Sequence, residues 1–508
     1  MISSRTTTYY IVLYCTVIDL SPAHRLQLGP NRITTQATSD SKMASRFRPR
    51  VWQQIKRDPS SQLHVIIVGA GLGGLGAAIS ILLAGHRVTV LESASEIGEI
   101  GAGIQVLPNS SRILISWGLE GKLVKDATKP RYANMIGWKG NRLSRMDLHA
   151  YGEALGTPFW DFHRANLHRC LLDRAVELGA EIHVKSRVQS IKYASDGLTA
   201  SAVLSDGRIM PADLIVGADG ISSRLREVLL GKPDPPLPTG DLAYRLLINA
   251  KDMLADPELR HFIQDPQVNY WIGPDAHAVN YVLRGGELFN MVLLVPDDMP
   301  AASMTIDGNV EEMQALYKDW DPIIGKILSL CHSVQKWKLC IRPTLERWTH
   351  QSGTFTLLGD AVHATLPYLA SGCGMALEDG AALGLCLSKL TNKSREQKLY
   401  ALKVYENCRK ERTEKVVERG NFQQYMYHLH DGEEQRERDR RLEMFGKMDE
   451  ELFKSPEVLT QPRSDSGDDP LPWRYYGVGG WLLPYDIETA VERRWEQTRK
   501  ENQTRPLL

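Results

Sequence analysis

The tightest constraint on the fold is a run of glycines that interrupts an apolar segment. Residues 63–68, Leu-His-Val-Ile-Ile-Val, read as a short buried strand. Gly-Ala-Gly-Leu-Gly-Gly follows at 69–74, and Leu72 to Ala84 is small and apolar, which predicts a helix. Arg87 to Glu92 reads as a second strand. In this β-α-β unit Gly69, Gly71 and Gly74 fill the three positions of G-x-G-x-x-G. The first permits a tight turn out of the strand. The second lets a pyrophosphate approach the backbone, and the third lets the helix lie on the sheet. The helix N-terminus offers free N–H groups and a partial positive charge to phosphates. Glu92 lies 92 − 69 = 23 positions on, where a carboxylate can accept bonds from a ribose hydroxyl. The same acid repels a 2′-phosphate, so the pattern selects FAD or NAD over NADP as the bound dinucleotide.

The rest of the chain divides by pattern. Asp213 to Val216 is another short buried strand. Lys-Pro-Asp-Pro-Pro-Leu-Pro-Thr-Gly at 232–240 reads as a rigid connector, because its four prolines suit neither a ladder nor a helix interior. Residues 241–297 alternate like antiparallel strands, with a hairpin expected from 268–272 and 278–283 and a further strand at 288–295. Thr354 to Leu358 is again a buried strand, and Gly374 to Leu390 a helix. From Gln397 to Phe453 charges of both signs are mixed, which predicts long helices with solvated ion-pair faces.

Composition narrows the function classes. The 61 Lys and Arg balance the 61 Asp and Glu, which removes the electrostatic case for a nucleic-acid binder. The seven cysteines are odd in number and contain no C-x-x-C pair, so neither a disulfide framework nor a zinc site is expected, and no metal. Reduced thiols fit a cytoplasmic setting. No apolar run reaches the ~18–20 residues of a membrane-spanning helix. Residues 1–57 carry nine Lys and Arg against two acids, with many Ser and Thr. Three readings of that segment stay open: an organellar targeting peptide, a disordered extension, or a misplaced start with Met43 as the true one.

Two further motifs join the first. Residues 215–220 are Ile-Val-Gly-Ala-Asp-Gly, an acid at a strand end between glycines. Residues 358–380 are LGDAVHATLPYLASGCGMALEDG, where Gly359-Asp360 closes a strand and Gly372-Cys373-Gly374 opens a helix. In this order and spacing the three motifs resemble the FAD-dependent aromatic hydroxylases, the single-component flavoprotein monooxygenases of the para-hydroxybenzoate hydroxylase class. The nearest resemblance is to fungal salicylate-hydroxylase-like enzymes. It runs from about Leu63 to Leu390, with GEIGAGIQVLPNS at 98–110, FHRANLH at 162–168 and a weaker echo in PWRYYGVGGWLLPYD at 472–486.

The resemblance implies an α/β fold. A Rossmann-type FAD-binding domain in two parts, 63–231 and 346–395, is interleaved with an antiparallel substrate-binding sheet at 241–345. A helical C-terminal region fills 396–508, and 1–62 precedes the fold as an extension. It implies that Gly69, Gly71, Gly74 and Glu92 hold the ADP half of FAD, and that Ala102 and Gly103 lie along the flavin. Arg164 contacts the cofactor, Asp219 sits near the pyrophosphate, and Asp360 bonds the ribityl chain. Gly372, Cys373 and Gly374 present backbone N–H groups to the isoalloxazine edge, with Pro367 at its face. Many relatives carry alanine at Cys373, a change that a backbone contact tolerates.

The implied reaction uses NAD(P)H and O2 to hydroxylate a phenolic ring through a flavin C4a-hydroperoxide. The substrate is a small aromatic, either a salicylate-type acid or a fungal natural product. Arg245 and Tyr281 are the expected catalytic pair, a permanent cation and a hydroxyl donor for a phenolate or carboxylate. Tyr244, Tyr270 and Trp271 are open between pocket lining and sheet core, and His363 reads as structural. A second strand-flanked G-x-G-x-x-G is missing, and Gly477-Val-Gly-Gly480 lacks a following helix, so NAD(P)H would bind only transiently. An epoxidase or reductase of the same fold, or a non-catalytic redox sensor, remains as the alternative.

Overall fold

The computed structural model describes residues 48–98, 102–463 and 467–504. The basic N-terminal segment up to residue 47 lies outside the described residues, as do positions 99–101 of the GEIGAGI stretch.

The β-α-β unit forms as the glycine pattern requires: β1 (His64–Val68), α1 (Leu72–Leu83) and β2 (Arg87–Leu91). Next come β3 (Tyr132–Gly137), β4 (Arg142–Asp147), β5 (Glu181–His183) and β6 (Leu214–Gly217). The central stretch holds β7 (Leu237–Asn249), β8 (Val268–Gly273), β9 (Ala276–Leu283), β10 (Leu288–Pro296), β11 (Thr305–Gly308) and β12 (Val334–Ile341). After β13 (Phe355–Leu357) the chain is mainly helical, with α2 (Gly372–Ser388), α3 (Arg395–Tyr427), α4 (Glu433–Leu452) and α5 (Ile487–Thr504).

One sheet is wholly parallel, in the order β13-β6-β1-β2-β5. Residues 65–67 of β1 are fully buried, because helices cover both faces of such a sheet. Helix α2 lies across α1 at close range. A Cβ on Gly380 would stand 2.6 Å from the Ala77 nitrogen, and one on Gly384 would stand 2.2 Å from Ser80 Oγ. Only glycine permits this crossing, which brings the start of α2 beside the β1–α1 turn.

The second sheet has eight strands in the order β11-β12-β7-β10-β9-β8-β3-β4. The hairpin expected at 268–283 is present, and β10 continues it. Two features depart from expectation. The sheet takes in β3 and β4 from residues 132–147, well before the expected 241–345 segment. β3 pairs parallel with β8, and Asn134 Nδ2 donates to Asn269 Oδ1 at 2.8 Å across the join. The proline-rich segment is not purely a connector, since Leu237 and Pro238 begin β7. Pro238 pairs only with Cys340 of β12, and the ladder to β10 starts at Asp241 beyond a bulge. Pro238 therefore has no second strand to which an N–H would be needed.

The charged C-terminal helices form with exposed ion pairs such as Glu411–Lys415 and Glu443–Lys447, as expected, but α3 also turns charges inward. Arg409 and Arg412 of α3 turn inward onto Glu378 and Asp379 of α2. Arg409, Glu378 and Asp379 are 0% exposed. Burial pushes both carboxyl groups toward neutrality, but the guanidinium groups, with His363 at Asp379, outweigh it and hold both low. Removing one partner from such a cluster strands a buried charge. We expect Arg409→Met to lower stability by about 3–5 kcal/mol in urea unfolding. Lys389→Met, which breaks an exposed pair with Glu492, should cost under about 1 kcal/mol. Equal losses in the two variants would refute the weight placed on the buried cluster.

Candidate active site

The β1–α1 turn sets one end of the site. Gly69 has φ +107°, and a Cβ there would lie 2.3 Å from the Ala218 carbonyl oxygen. A Cβ on Gly74 would lie 2.0 Å from the Gly69 oxygen. These two glycines are demanded by the protein's own backbone. Gly71 is different, because a Cβ there would meet nothing within 4 Å. It faces open space where a pyrophosphate can reach the helix N-terminus, so the turn fits a dinucleotide.

Glu92 anchors this turn. Its carboxylate accepts from the Ala70 N–H at 2.9 Å and the Ala94 N–H at 2.7 Å. Partial burial raises its pKa, but these backbone donors and Ser93 outweigh that effect and keep it ionised. On the other side His168 Nε2 lies 2.7 Å from the Ala70 oxygen.

A cavity of about 320 Å³ opens from the turn and runs between the two sheets. Gly71, Ala102, Gly103, Arg164, Arg245, Tyr281, Asp360, Gly372 and Cys373 line it, with Pro367. Gly69, Gly74, Glu92, Asp219 and Gly374 do not. The first three shape the turn from behind. Gly374 packs on Ser110, whose Oγ would be 2.4 Å from a Cβ there. Asp219 holds the start of the next helix: Ser223 Oγ donates to it at 2.6 Å and the Leu225 N–H at 3.0 Å. Burial raises the Asp219 pKa against those bonds.

The dinucleotide side of the cavity is electropositive at the start of α2. Ser371 gives that helix no side-chain cap, and its hydroxyl donates to the Leu369 oxygen instead. The first N–H groups of α2 are therefore available to a ligand. Gly359, with φ +62°, turns the chain so that Asp360 reaches the cavity. Its N–H donates to Asp379 Oδ2 at 2.9 Å, and the same oxygen lies 2.6 Å from His363 Nε2. His363 therefore braces the turn from outside the cavity.

The opposite wall is one face of the eight-stranded sheet. Side chains two apart along a strand share a face. Ala243 and Arg245 of β7, Val292 and Leu294 of β10, His277, Val279 and Tyr281 of β9, and Tyr270 of β8 make the wall. Tyr270 is thus pocket lining. Tyr244 and Trp271 point to the other face, where Tyr244 bonds Glu312 at 2.7 Å and Trp271 bonds Asp321 at 2.9 Å. Arg245 lies 4.5 Å over the Trp337 ring and, among the described residues, makes no ion pair. Burial lowers its pKa, Tyr281 opposes this, and Arg164 adds to it. Burial pushes the Tyr281 hydroxyl well above its ordinary range, helped by Asp161 and opposed by Arg245, so it stays protonated as a donor. A Cβ on Gly103 would stand 2.4 Å from the Tyr281 ring, and the Gly103 N–H donates to Asn290 Oδ1 at 3.0 Å.

Sequence reasoning missed His277 and Tyr368, which also line the cavity. The signal for His277 was present, since it lies four residues before Tyr281 on the same strand face.

Known proteins share the family and the fold of this chain. The family described as "FAD binding domain" matches residues 62–420. An FAD-dependent monooxygenase, OpS4, from Beauveria bassiana (strain ARSEF 2860) is 41% identical over 77% of this chain and 91% of its own. A 3-hydroxybenzoate 6-hydroxylase from Polaromonas naphthalenivorans (strain CJ2) is 31% identical over 73% of this chain and 90% of its own. A salicylate hydroxylase solved as a substrate complex shares the fold, with TM-score 0.67 and 19% identity over 85% of this chain and 98% of its own.

Gly71→Val would fill the space that the turn leaves open. We expect the flavin content of the purified variant to fall at least tenfold, read from visible absorbance. Full flavin content would show that the phosphates lie elsewhere.

Proposed function

The chain belongs to the FAD-binding-domain family, and from that premise we propose that it is an FAD-dependent monooxygenase that hydroxylates an anionic aromatic substrate. NAD(P)H is the proposed electron donor and O2 the oxygen source. The observation that carries the substrate reading is Arg245. A half-buried guanidinium with no carboxylate partner among the described residues suits an anion from outside the chain. Tyr281 adds a hydroxyl donor on the same face, so the pair suits a carboxylate or phenolate oxygen. The relatives named for hydroxybenzoates act on ligands of that class.

The residues divide into two sets. Gly71 and the start of α2 suit the phosphates and ring edge of FAD, Asp360 its ribityl chain, and Ala102, Gly103, Arg164 and Cys373 the remaining cofactor surface. Gly69, Gly74 and Glu92 shape the turn, and Asp219 braces the neighbouring loop. FAD, when bound, supplies electron storage and oxygen activation that no side chain offers. The chain's own part is to orient the ring, pair its charge and exclude water. Val279, Val292 and Leu294 make the centre of the wall apolar, which supports that exclusion.

NAD(P)H oxidation by the flavin-loaded protein, with a panel of phenols and hydroxybenzoates, tests the reading. We expect stimulation by anionic hydroxyaryl compounds. Arg245→Met should retain flavin while kcat/KM falls on the order of 10–100-fold, the loss of one charge-assisted contact. Unchanged turnover in the variant would move the anion site elsewhere. A flat response across the panel would favour a reductase or sensor role.

A further inference from the structure

A second opening shares no lining residue with the cavity. It is a groove of about 880 Å³ between α3 and α5, floored by the aromatic tail. The α3 wall runs from Asn407 to Phe422, about 22 Å at ~1.5 Å per residue. The α5 wall is Ala490, Arg493, Arg494 and Gln497, whose spacings of three and four place them on one side of the helix. Tyr400 fastens the two helices beside the groove. Its hydroxyl donates to the Trp495 oxygen at 2.9 Å, and its ring meets the Trp495 ring edge-on.

Both walls are basic. Arg412, Lys415, Arg419, Arg463, Arg493 and Arg494 line the groove, against two acids, Glu411 and Glu418. Several of these charges are already engaged within the protein. Arg412 pairs with Glu378 and Lys415 with Glu411, and Arg419 donates to the Asp469 backbone oxygen. Arg493 and Arg494 make no ion pair among the described residues. Arg494 reaches toward α3, where Lys415 first and Arg494 after it hold the Glu411 carboxyl low. Even with Arg419 and Arg463 left aside, these two arginines outnumber the one remaining acid, Glu418. Adjacent guanidinium groups without carboxylates suit phosphate oxygens, which a planar fork meets two at a time.

The floor adds ring faces to this charge. Trp481 and Tyr485 are half-buried, and Arg412 lies 5.4 Å over the first ring and 3.7 Å over the second. Phe422 closes the far end of the α3 wall, 43% exposed, with Arg419 4.7 Å over its ring. Nucleobases stack on aromatic side chains and on guanidinium planes of this kind. Phosphate alone uses the arginines and leaves the rings idle, and an apolar ring alone leaves the arginines unpaired. A nucleotide uses both.

We propose that this groove binds a nucleoside diphosphate, separately from the dinucleotide cofactor. The base lies on Trp481 and Tyr485, and the phosphates meet Arg493 and Arg494. The site is independent of the substrate reading above. It also has a route to the cofactor side of the cavity. Arg412, over which the base would sit, donates to Glu378 of α2, and the first turn of α2 lines the cavity.

The test is isothermal titration calorimetry of the flavin-loaded protein with ADP, adenosine and inorganic pyrophosphate. ADP should bind at one site per chain, about tenfold or more tighter than adenosine or pyrophosphate, without displacing flavin. The double variant Arg493→Glu, Arg494→Glu should weaken ADP about tenfold or more. Trp481→Leu should weaken ADP to a similar degree and leave pyrophosphate unchanged. Arg499→Glu, on the same helix but outside the groove and paired with Glu496, should bind as wild type. Flavin content and thermal midpoint equal to wild type show that the variants fold. No ADP binding, or ADP no tighter than pyrophosphate, overturns the nucleotide assignment. Undiminished binding in the double variant, or release of flavin by ADP, places the nucleotide elsewhere and overturns the groove. The hydroxylase reading stands in each case, since none of these outcomes touches the cavity.

Discussion

The buried charges between α2 and α3 hold the rest of the site in place. Glu378 accepts from Arg412 at 2.8 Å and from Asn109 at 2.7 Å, and lies 2.6 Å from Arg409. Asp379 accepts from Arg409, from the Gly359 N–H and from His363. Each ion would be costly to bury alone, and together they satisfy one another. The cluster joins four parts of the chain: the β13–Asp360 turn, the cofactor-side helix, the long charged helix and, through Asn109, the helix after residues 103–106. Arg412 extends it further by donating to the Trp481 and Leu482 oxygens and lying 3.7 Å over the Tyr485 ring. The aromatic tail is fastened to the same point as the cavity wall.

That anchoring explains the division of charge in the cavity. Of the acids on the cofactor side, Asp360 lines the cavity, while Asp379 is paired outside the wall and Glu92 and Asp219 are engaged with backbone N–H groups. The wall itself keeps uncapped N–H groups at the start of α2 and the guanidinium of Arg245. With most nearby acids engaged elsewhere, these groups make the wall suited to anions away from Asp360.

How much of this could be read from the sequence follows the range of each interaction. The β-α-β unit is local, so glycine spacing and apolar runs sufficed for β1, α1 and β2. The period-2 alternation of β9 and β10 was equally plain. Three features were not legible, each because a distant partner decides it. The parallel join of β3 to β8 depends on residues more than 130 positions apart. Pro238 sits in β7 because only one neighbouring strand pairs there. Arg409 and Arg412 carry the same local signal as the solvated charges around them on α3. Only the acids of α2 distinguish them, and those lie about 30 positions earlier.

The same reasoning separates Arg245 and Tyr281 from His277. The first two stood out because family resemblance marks an arginine and a tyrosine in such strands. His277 had only its register, and register is an all-or-none property of a strand. With Tyr281 facing the cavity, Val279 and His277 must face it too, whatever their chemistry. An apolar side chain at 277 would complete a dry wall and leave His428 without its partner. The chain instead carries an imidazole at that position and a second imidazole within bonding distance of it. A buried polar group is tolerated when it is bonded on every side that needs it. His277 meets that condition at Nδ1, which lies 2.8 Å from His428 Nε2, while its ring lines the cavity.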